Sequence, residues 1–178
     1  MSELLATRDL DDDRAVLIIT EDEGRFGRIS DPRACWAPAG IRPRVPKQIV
    51  REFTYVYAAV APALGKMTAL ILPYANTDAM NIFLRQVSQD FSEFYVIMLV
   101  DGAGRHKSGG LDIPENIKLI EQPSHSPEVN PTEHLWDEIR EKDFHNTVFD
   151  SMKKLQDHLC TIVSRFLYSG FRADGAVG

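Results

Sequence analysis

The stretch YVIMLVDG, residues 95–102, is an apolar run that ends abruptly at Asp101 and a glycine. A second run of the same kind, AVLIIT at residues 15–20, is followed two residues later by Asp22. Short continuous apolar runs rich in β-branched residues are typical of strands that are buried on both faces. The two stretches therefore predict the centre of an α/β sheet, with a carboxylate just beyond the end of each strand.

Weaker strand patterns and helical periodicity surround these two runs. Further strands are predicted at residues 53–60 (FTYVYAAV), 66–72 (KMTALIL) and 117–120, where aromatic and β-branched residues are frequent. Apolar residues at helical spacing predict a helix over residues 77–91, capped by Asn76 or Thr77, another from Pro131 and a last one over 151–167. Buried strands followed by crossover helices predict a mixed central sheet with helices on both faces.

The composition is that of one ordinary globular domain. With 178 residues, 44% of them hydrophobic, the chain is long enough for one well-formed core and short for two. We expect an acidic N-terminal segment at residues 1–14, a folded domain at 15–170 and a flexible tail at 171–178. No apolar run could span a bilayer and no signal-peptide pattern opens the chain, so we expect a soluble cytoplasmic protein. The two cysteines lack CxxC spacing, which argues against a disulfide framework and a zinc site.

The net charge of −6 conceals a basic segment at residues 25–51. This segment has an excess of six positive charges, so the rest of the chain carries a net charge of −12. Such a concentration of charge on an acidic protein indicates a surface that faces an anion. The alternative is that the arginines pair with the acidic remainder of the protein. The basic residues of the segment are Arg25, Arg28, Arg33, Arg42, Arg44, Lys47 and Arg51.

Asp22 and Asp101 are the first candidates for chemistry. Ligand and catalytic groups of α/β sheets gather at the carboxyl ends of strands, and neighbouring strands lie about 4.8 Å apart. Two carboxylates at such positions could converge on a divalent cation. Taken singly, each also fits a structural role, because Asp-Gly at 101 and 102 is a common turn and Asp22 could merely open a loop. Their joint placement favours a metal site.

A third acid lies at the start of the helix predicted from Pro131. Asn130 is a typical N-cap and proline a typical first helical residue, which puts Glu133 in the first turn. Glu133, Asp137 and Arg140 then share one face at i, i+4 and i+7. An acid three residues after the N-cap is also half of a capping box, and spacing alone does not separate a cap from a metal ligand.

Five stretches of the chain together resemble a known family. They are DEGRFG (22–27), CWAPAGIRP (35–43), LVDGAGRHKS (99–108), PENIKLI (114–120) and SPEVNPTEHLW (126–136). In this order they resemble the catalytic domain of bacterial insertion-sequence DDE transposases, the group related to mariner elements. The resemblance covers residues 22–136, and the DGAG-x-H and SPE-x-NP-x-E blocks are its most restrictive parts.

The resemblance implies an RNase H-like fold and a catalytic triad of Asp22, Asp101 and Glu133, which would bind two Mg²⁺ or Mn²⁺ ions. Asp101 would bridge the two ions, and each of the other acids would complete the shell of one. Hard oxygen ligands suit these cations, and a pair of them promotes phosphodiester cleavage at both the attacking and the leaving oxygen. The implied function is metal-dependent DNA strand cleavage and strand transfer at the ends of an insertion sequence.

DNA is the partner that the resemblance implies, both as element ends and as target. Members of the family read their element ends with an N-terminal helix-turn-helix region. Since the first strand here is predicted to start near residue 15, we expect a separate helix-turn-helix polypeptide or domain. We also expect a homodimer on DNA, associated with the nucleoid. The expected DNA contacts are Arg25, Arg28, Arg42, Arg44, Lys47, Arg51, His106 and Lys107.

Two other functions stay open at this point. A structure-specific nuclease or resolvase of the same fold would share the metal site and lack joining activity. A domesticated or decayed transposase fragment would act only as a DNA- or protein-interaction module, although the intact acids argue against it. Trp36 and Trp136 could stack on bases in any of these proteins, while burial in the core is the commoner position for tryptophan.

Overall fold

A computed structural model describes residues 12–30, 32–101, 110–122 and 131–169. Within these residues the protein forms five strands, three α-helices and one short 3₁₀ turn. The strands are β1 (Ala15–Ile29), β2 (Ile49–Ala61), β3 (Lys66–Leu72), β4 (Phe94–Val100) and β5 (Ile117–Glu121). The helices are α1 (Thr77–Asp90), α2 (Pro131–Lys142) and α3 (Met152–Ser169), and the 3₁₀ turn Pro62–Leu64 joins β2 to β3.

The five strands form one mixed sheet in the order β3-β2-β1-β4-β5. β1 pairs antiparallel with β2, and β2 pairs antiparallel with β3. On the other side, β1 pairs parallel with β4, and β4 pairs parallel with β5. Parallel neighbours need long connections, and the connection from β3 to β4 contains α1. β1 is therefore the central strand, with the antiparallel half of the sheet on one side and the parallel half on the other.

The two faces of the sheet bury separate hydrophobic cores. On one face, Leu17 and Ile19 of β1 lie in a core with Phe83 of α1. On the other face, Phe26 of β1 lies in a core with residues of α2 and α3, among them Trp136. Because side chains of a strand alternate between faces, β1 contributes to both cores. The mixed sheet with helices on both faces agrees with the prediction from the strand and helix patterns.

β1 is longer than predicted, and this changes the position of Asp22. We expected the strand to end at Thr20 with Asp22 in the loop beyond, and this expectation is wrong. The strand runs to Ile29, so Asp22 lies inside it. The parallel pairing with β4 ends where Thr20 faces Leu99, but the antiparallel pairing with β2 continues to Ile29. The ladder to β2 outweighs the weak strand preference of Glu, Asp and Gly in this stretch.

The helices begin and end close to their predicted positions. Asn76 is the N-cap of α1, since its side-chain oxygen accepts a hydrogen bond from the backbone N–H of Ala79 at 2.9 Å. None of the described helices is long and apolar enough to cross a membrane. Residues 1–11 and the tail at 171–178 lie outside the described residues, so the proposed division of the chain stays a prediction.

Candidate active site

Asp22 and Asp101 lie beside each other where β1 and β4 stop pairing. The last parallel pair joins Thr20 of β1 to Leu99 of β4. Asp22 and Asp101 stand two residues beyond this pair along each chain, which directs their side chains to the same face of the sheet, and the charge of Asp101 acts on the Asp22 carboxyl. Asp22 is half-buried, whereas Asp101 directly follows β4 and is exposed. The expected meeting of these two acids is thus supported by the register of the sheet.

Trp136 of α2 holds the carboxylate of Asp22. Its indole Nε1 donates a hydrogen bond to Asp22 Oδ2 at 3.0 Å. The backbone N–H of Glu23 donates to Asp22 Oδ1 at 2.8 Å. The Trp136 side chain is only 3% exposed, and its ring meets that of Phe26 edge-on, with the centroids 5.9 Å apart. Both oxygens of Asp22 therefore have a fixed donor, and the carboxylate is held in one orientation.

Gly24 makes room for this indole. A Cβ at position 24 would lie 2.7 Å from Trp136 Cδ2 and 2.8 Å from Phe26 Cε2. Carbon atoms in contact normally stay about 3.5–4.0 Å apart. Any larger residue at this position would push the indole away from Asp22. The glycine of the DEGRFG stretch therefore allows α2 to approach β1 closely.

Two threonines form a second contact between α2 and β1. Thr20 Oγ1 and Thr132 Oγ1 lie 3.2 Å apart, and both residues are buried. Since Thr132 belongs to the first turn of α2, this contact holds that turn against the sheet near Asp22. Glu133 is the next residue and is exposed. It precedes Trp136 by three residues, which places the two side chains on adjacent positions of the helix surface.

Burial raises the pKa of the Asp22 carboxyl above its ordinary value of 3.8, and repulsion from Asp101 adds to the increase. The hydrogen bonds from Trp136 and Glu23 oppose this increase in the pKa, as does the positive charge of Arg140. Burial prevails because it disfavours the charged form most strongly. A positive charge next to Asp22 would offset both the burial and the repulsion.

The acids suit a hard divalent cation by their chemistry, but the described residues do not gather three of them around one point. Asp22 and Asp101 offer the carboxylate oxygens that Mg²⁺ and Mn²⁺ prefer. Among the described residues, no group of three or more Asp, Glu, His or Cys side chains could hold a metal ion. The role of Glu133 as third ligand therefore stays a prediction. Asn130, its partner in the alternative capping box, lies outside the described residues.

The basic segment contains residues that support the fold and residues that face solvent. Arg28 donates to the backbone carbonyls of residues 149 and 150 at 2.9 and 2.8 Å and pairs with Glu52 at 2.5 Å. Arg25 lies over the ring of Phe53, 4.8 Å from its centroid. Four other residues are exposed and form no ion pair with a carboxylate in the described part of the chain: Arg42, Arg44, Lys47 and Arg51. His106 and Lys107 lie outside the described residues.

Comparison with known proteins assigns the chain to a family. Residues 18–156 match the family described as DDE superfamily endonuclease. The chain belongs to this family. The matched region contains all three acids of the predicted triad. A relative from Sinorhizobium fredii (strain NBRC 101917 / NGR234), named uncharacterized protein y4pE/y4sA, is 33% identical over 109 residues, which are 61% of this chain and 81% of the relative.

Solved structures similar to this DDE endonuclease domain include complexes of the Mos1 mariner protein. The Mos1 mariner paired end complex with Mn has a TM-score of 0.62 and 18% identity, over 85% of this chain and 48% of that chain. The Mos1 strand transfer complex has a TM-score of 0.61 and 16% identity, over 85% and 49%. The chain thus spans about half the length of these structures. The likeness shows the RNase H-like fold that the resemblance implied.

Sequence reasoning did not find the residues that surround Asp22 in this DDE endonuclease. For Trp136, both base stacking and burial in the core were open. In the structure the side chain is buried and donates a hydrogen bond to Asp22. Trp36, by contrast, is fully exposed. The only signal in the sequence was indirect, because Trp136 and Arg140 lie three and seven residues after Glu133 on one predicted helix. Nothing in the spacing indicated which of them contacts β1.

Proposed function

We propose that this DDE endonuclease domain is the catalytic domain of a transposase, which cuts DNA strands at the ends of an insertion sequence and joins them to target DNA. The observation that carries the proposal is the position of Asp22 and Asp101, each two residues beyond the last parallel pair of β1 and β4, in a chain of the DDE family. Among structures of the same fold, one is a paired end complex with Mn and another is a strand transfer complex, which supports this choice.

The residues that would hold one or two metal ions are Asp22, Asp101 and Glu133. Mg²⁺ or Mn²⁺ held there would supply the charge that activates an attacking oxygen and stabilises a leaving oxygen. An ionised carboxylate has about four acceptor positions, and the N–H groups of Trp136 and Glu23 engage two of those on Asp22. Asp22 therefore keeps acceptor capacity for a cation while its orientation is held from the protein side.

The exposed part of the basic segment would bind the DNA backbone. Arg42, Arg44, Lys47 and Arg51 have no carboxylate partner among the described residues, so their charges are available to phosphates. Arg25, Arg28, His106 and Lys107 complete the proposed contact set, although Arg28 is largely engaged by the protein itself. Lysine and arginine contacts to phosphates supply affinity that depends on salt and not on base sequence.

Because phosphate contacts position a protein on DNA but do not specify a sequence, the domain needs help to find element ends. We propose that a helix-turn-helix domain or separate polypeptide reads those ends. We also propose that two copies act together as a homodimer on nucleoid DNA, since an element has two ends to be cut and joined.

Replacement of Glu133 by Gln tests the third ligand. A capping box needs only an oxygen that reaches the backbone N–H of Asn130, and Gln provides one, whereas a metal ligand needs the charge. Glu133→Gln should therefore keep its melting temperature in EDTA. It should lose Mg²⁺-dependent DNA cleavage by at least about 100-fold, the scale on which one essential electrostatic group acts in catalysis. The variant should also gain less thermal stability from added Mg²⁺.

Asp137→Asn is the matched control, because Asp137 is an exposed acid one turn further along α2, 3.7 Å from Arg140. We expect this variant to stay active. If Glu133→Gln is active and Asp137→Asn is not, Asp137 is the third ligand in place of Glu133. If both variants keep full activity, a three-acid mechanism does not operate in this protein.

A strand-transfer assay with pre-cut DNA ends separates a transposase from other proteins of the same fold. The wild-type protein with Mg²⁺, together with the partner that reads the element ends, should join a 3′-hydroxyl end to a target duplex. Cleavage without joining would identify a structure-specific nuclease or resolvase. Absence of both reactions, with DNA binding retained, would identify an interaction module.

A further inference from the structure

A basic cavity lies between the second half of β1 and the segment that links α2 to α3. Its volume is about 160 Å³. The described residues that line it include four arginines and a histidine and no acidic residue. The acids that pair with three of the arginines lie outside the lining, so the cavity presents only basic titratable residues, which favours an anionic ligand. The basic residues of the lining are Arg25, Arg28, Arg33, Arg140 and His145.

The walls of the cavity are held by hydrogen bonds within the protein. Arg28, whose side chain is only 14% exposed, ties β1 to the segment before α3 through two backbone carbonyls. Asn146 accepts a hydrogen bond from the backbone N–H of Arg33 at 2.9 Å and donates one to its carbonyl at 3.3 Å. Asn146 itself has a φ of 54°, a conformation that asparagine tolerates better than most residues. The cavity is therefore shaped by the fold before any ligand binds.

The side chains of Arg33 and Arg140 are partly exposed, so a ligand can reach them. Their side chains are 44% and 43% exposed, and they face Glu141 and Asp137 at 3.5 and 3.7 Å. Both distances exceed the roughly 2.7–2.9 Å of a charge-assisted hydrogen bond. Because both acids are largely exposed, these pairs contribute little and an anion with better geometry can replace them.

The cavity lies close to Asp22 and Asp101. Arg140 is near enough to Asp22 for its positive charge to oppose the increase in the pKa of that carboxyl. The lining of the cavity begins at Arg25, three residues along β1 from Asp22, which is about 10 Å at roughly 3.3 Å per residue. Phosphates of one DNA strand advance about 3.4 Å each along the duplex axis. A strand that passes the two aspartates would thus reach the cavity within a few nucleotides.

We propose that this cavity binds a phosphate group of the DNA backbone, within a few nucleotides of the bond that is cut, with Arg33 and Arg140 as its main ligands. The proposal rests on the function proposed above, because it places the scissile bond at Asp22 and Asp101. A guanidinium group presents a planar fork of N–H donors that matches two phosphate oxygens. The Thr147 hydroxyl and the His145 ring line the same cavity and add polar groups of the kind that bind phosphate.

The test is the salt dependence of binding to a duplex of random sequence, measured by fluorescence anisotropy in EDTA so that no cleavage occurs. The double variant Arg33→Gln/Arg140→Gln should reduce the slope of log affinity against log salt by up to about 1.8, since each lost phosphate contact removes about 0.9. The control Arg85→Gln/Lys66→Gln removes the same two charges from exposed positions on α1 and β3 and should leave the slope unchanged. Thermal melting of both variants checks that the fold is intact.

The outcomes separate this proposal from the proposed function. A reduced slope in the cavity variant alone supports the phosphate site. An unchanged slope in that variant, with wild-type protein that binds and cleaves DNA, overturns the site and leaves the transposase function standing. A reduced slope with wild-type protein that never cleaves DNA keeps the cavity as a DNA contact and overturns the function. Equal reductions in both variants would show a general charge effect and would also overturn the site.

Discussion

Gly24→Ala should disturb the orientation of Asp22 without touching it directly. The added methyl group would lie 2.7 Å from Trp136 Cδ2 and 2.8 Å from Cε3 of the same ring. The indole is buried, so it cannot swing into solvent as the end of a flexible side chain would. It must move by nearly 1 Å to reach the normal contact distance of about 3.5 Å. Such a shift would lengthen the 3.0 Å hydrogen bond to Asp22 beyond useful range.

The change in the free energy of unfolding has three contributions, two that lower it and one that raises it. Overpacking of a core lowers it by about 1–3 kcal/mol, and loss of a hydrogen bond to a charged group lowers it by a further ~1.5 kcal/mol when water can partly replace the donor. Alanine for glycine raises it by about 0.4–1 kcal/mol through the unfolded chain. We expect a net loss of about 1.5–4 kcal/mol, which lowers the melting temperature of a chain of this size by about 3–16 °C.

The assay combines thermal melting with tryptophan fluorescence. In a Trp36→Phe background, Trp136 is the only tryptophan, and its emission reports on the indole that contacts Asp22. Gly110→Ala is the control, since its Cβ would meet Thr77 Cγ2 at an ordinary 3.6 Å. The control should keep its melting temperature and emission. A Gly24→Ala protein with the same melting temperature and emission as its parent would refute the close-approach argument.

Two further predictions concern charge. Asp22→Asn should raise the melting temperature in EDTA at pH 7, because burial raises the pKa of the Asp22 carboxyl and the charged form therefore destabilises the native state above its ordinary pKa of 3.8. This gain in melting temperature should disappear below about pH 3.8, where the Asp22 carboxyl is protonated in the unfolded chain as well. An equal gain at pH 3 and pH 7 would contradict the reasoning. A triple replacement by Gln in the basic segment should lower the slope of log affinity for duplex DNA against log salt by up to about 2.7. Thermal stability should stay unchanged, since these side chains have no carboxylate partner among the described residues. Loss of stability with an unchanged slope would show that they support the fold instead. The three residues are Arg42, Arg44 and Lys47.

Much of the fold was predictable because its signals are local. The two apolar runs that begin β1 and form most of β4 correctly predicted two strands of the sheet. The expected burial on both faces holds for β4 and is wrong for the start of β1, where Val16 and Ile18 are exposed. The period of α1 and its cap at Asn76 are properties of a few neighbouring residues. The family was recognisable because five sequence motifs occur in a characteristic order, and motifs can be recognised without knowledge of the structure. Asp22 and Asp101 were predicted as site residues because each follows an apolar run, and the family blocks contain both.

The tertiary structure alone decided what surrounds those acids. β1 continues through Asp22 because β2 pairs with it there. The local sequence of β1 does not show which strand will pair with it. The hydrogen bond from Trp136 to Asp22 joins residues 114 positions apart, and the need for glycine at position 24 arises only when that indole lies against β1. The basic cavity likewise joins β1 to the segment after α2. Apolar periodicity and sequence motifs depend on a few neighbouring residues. Contacts between distant residues depend instead on which faces of the strands and helices meet in the folded chain.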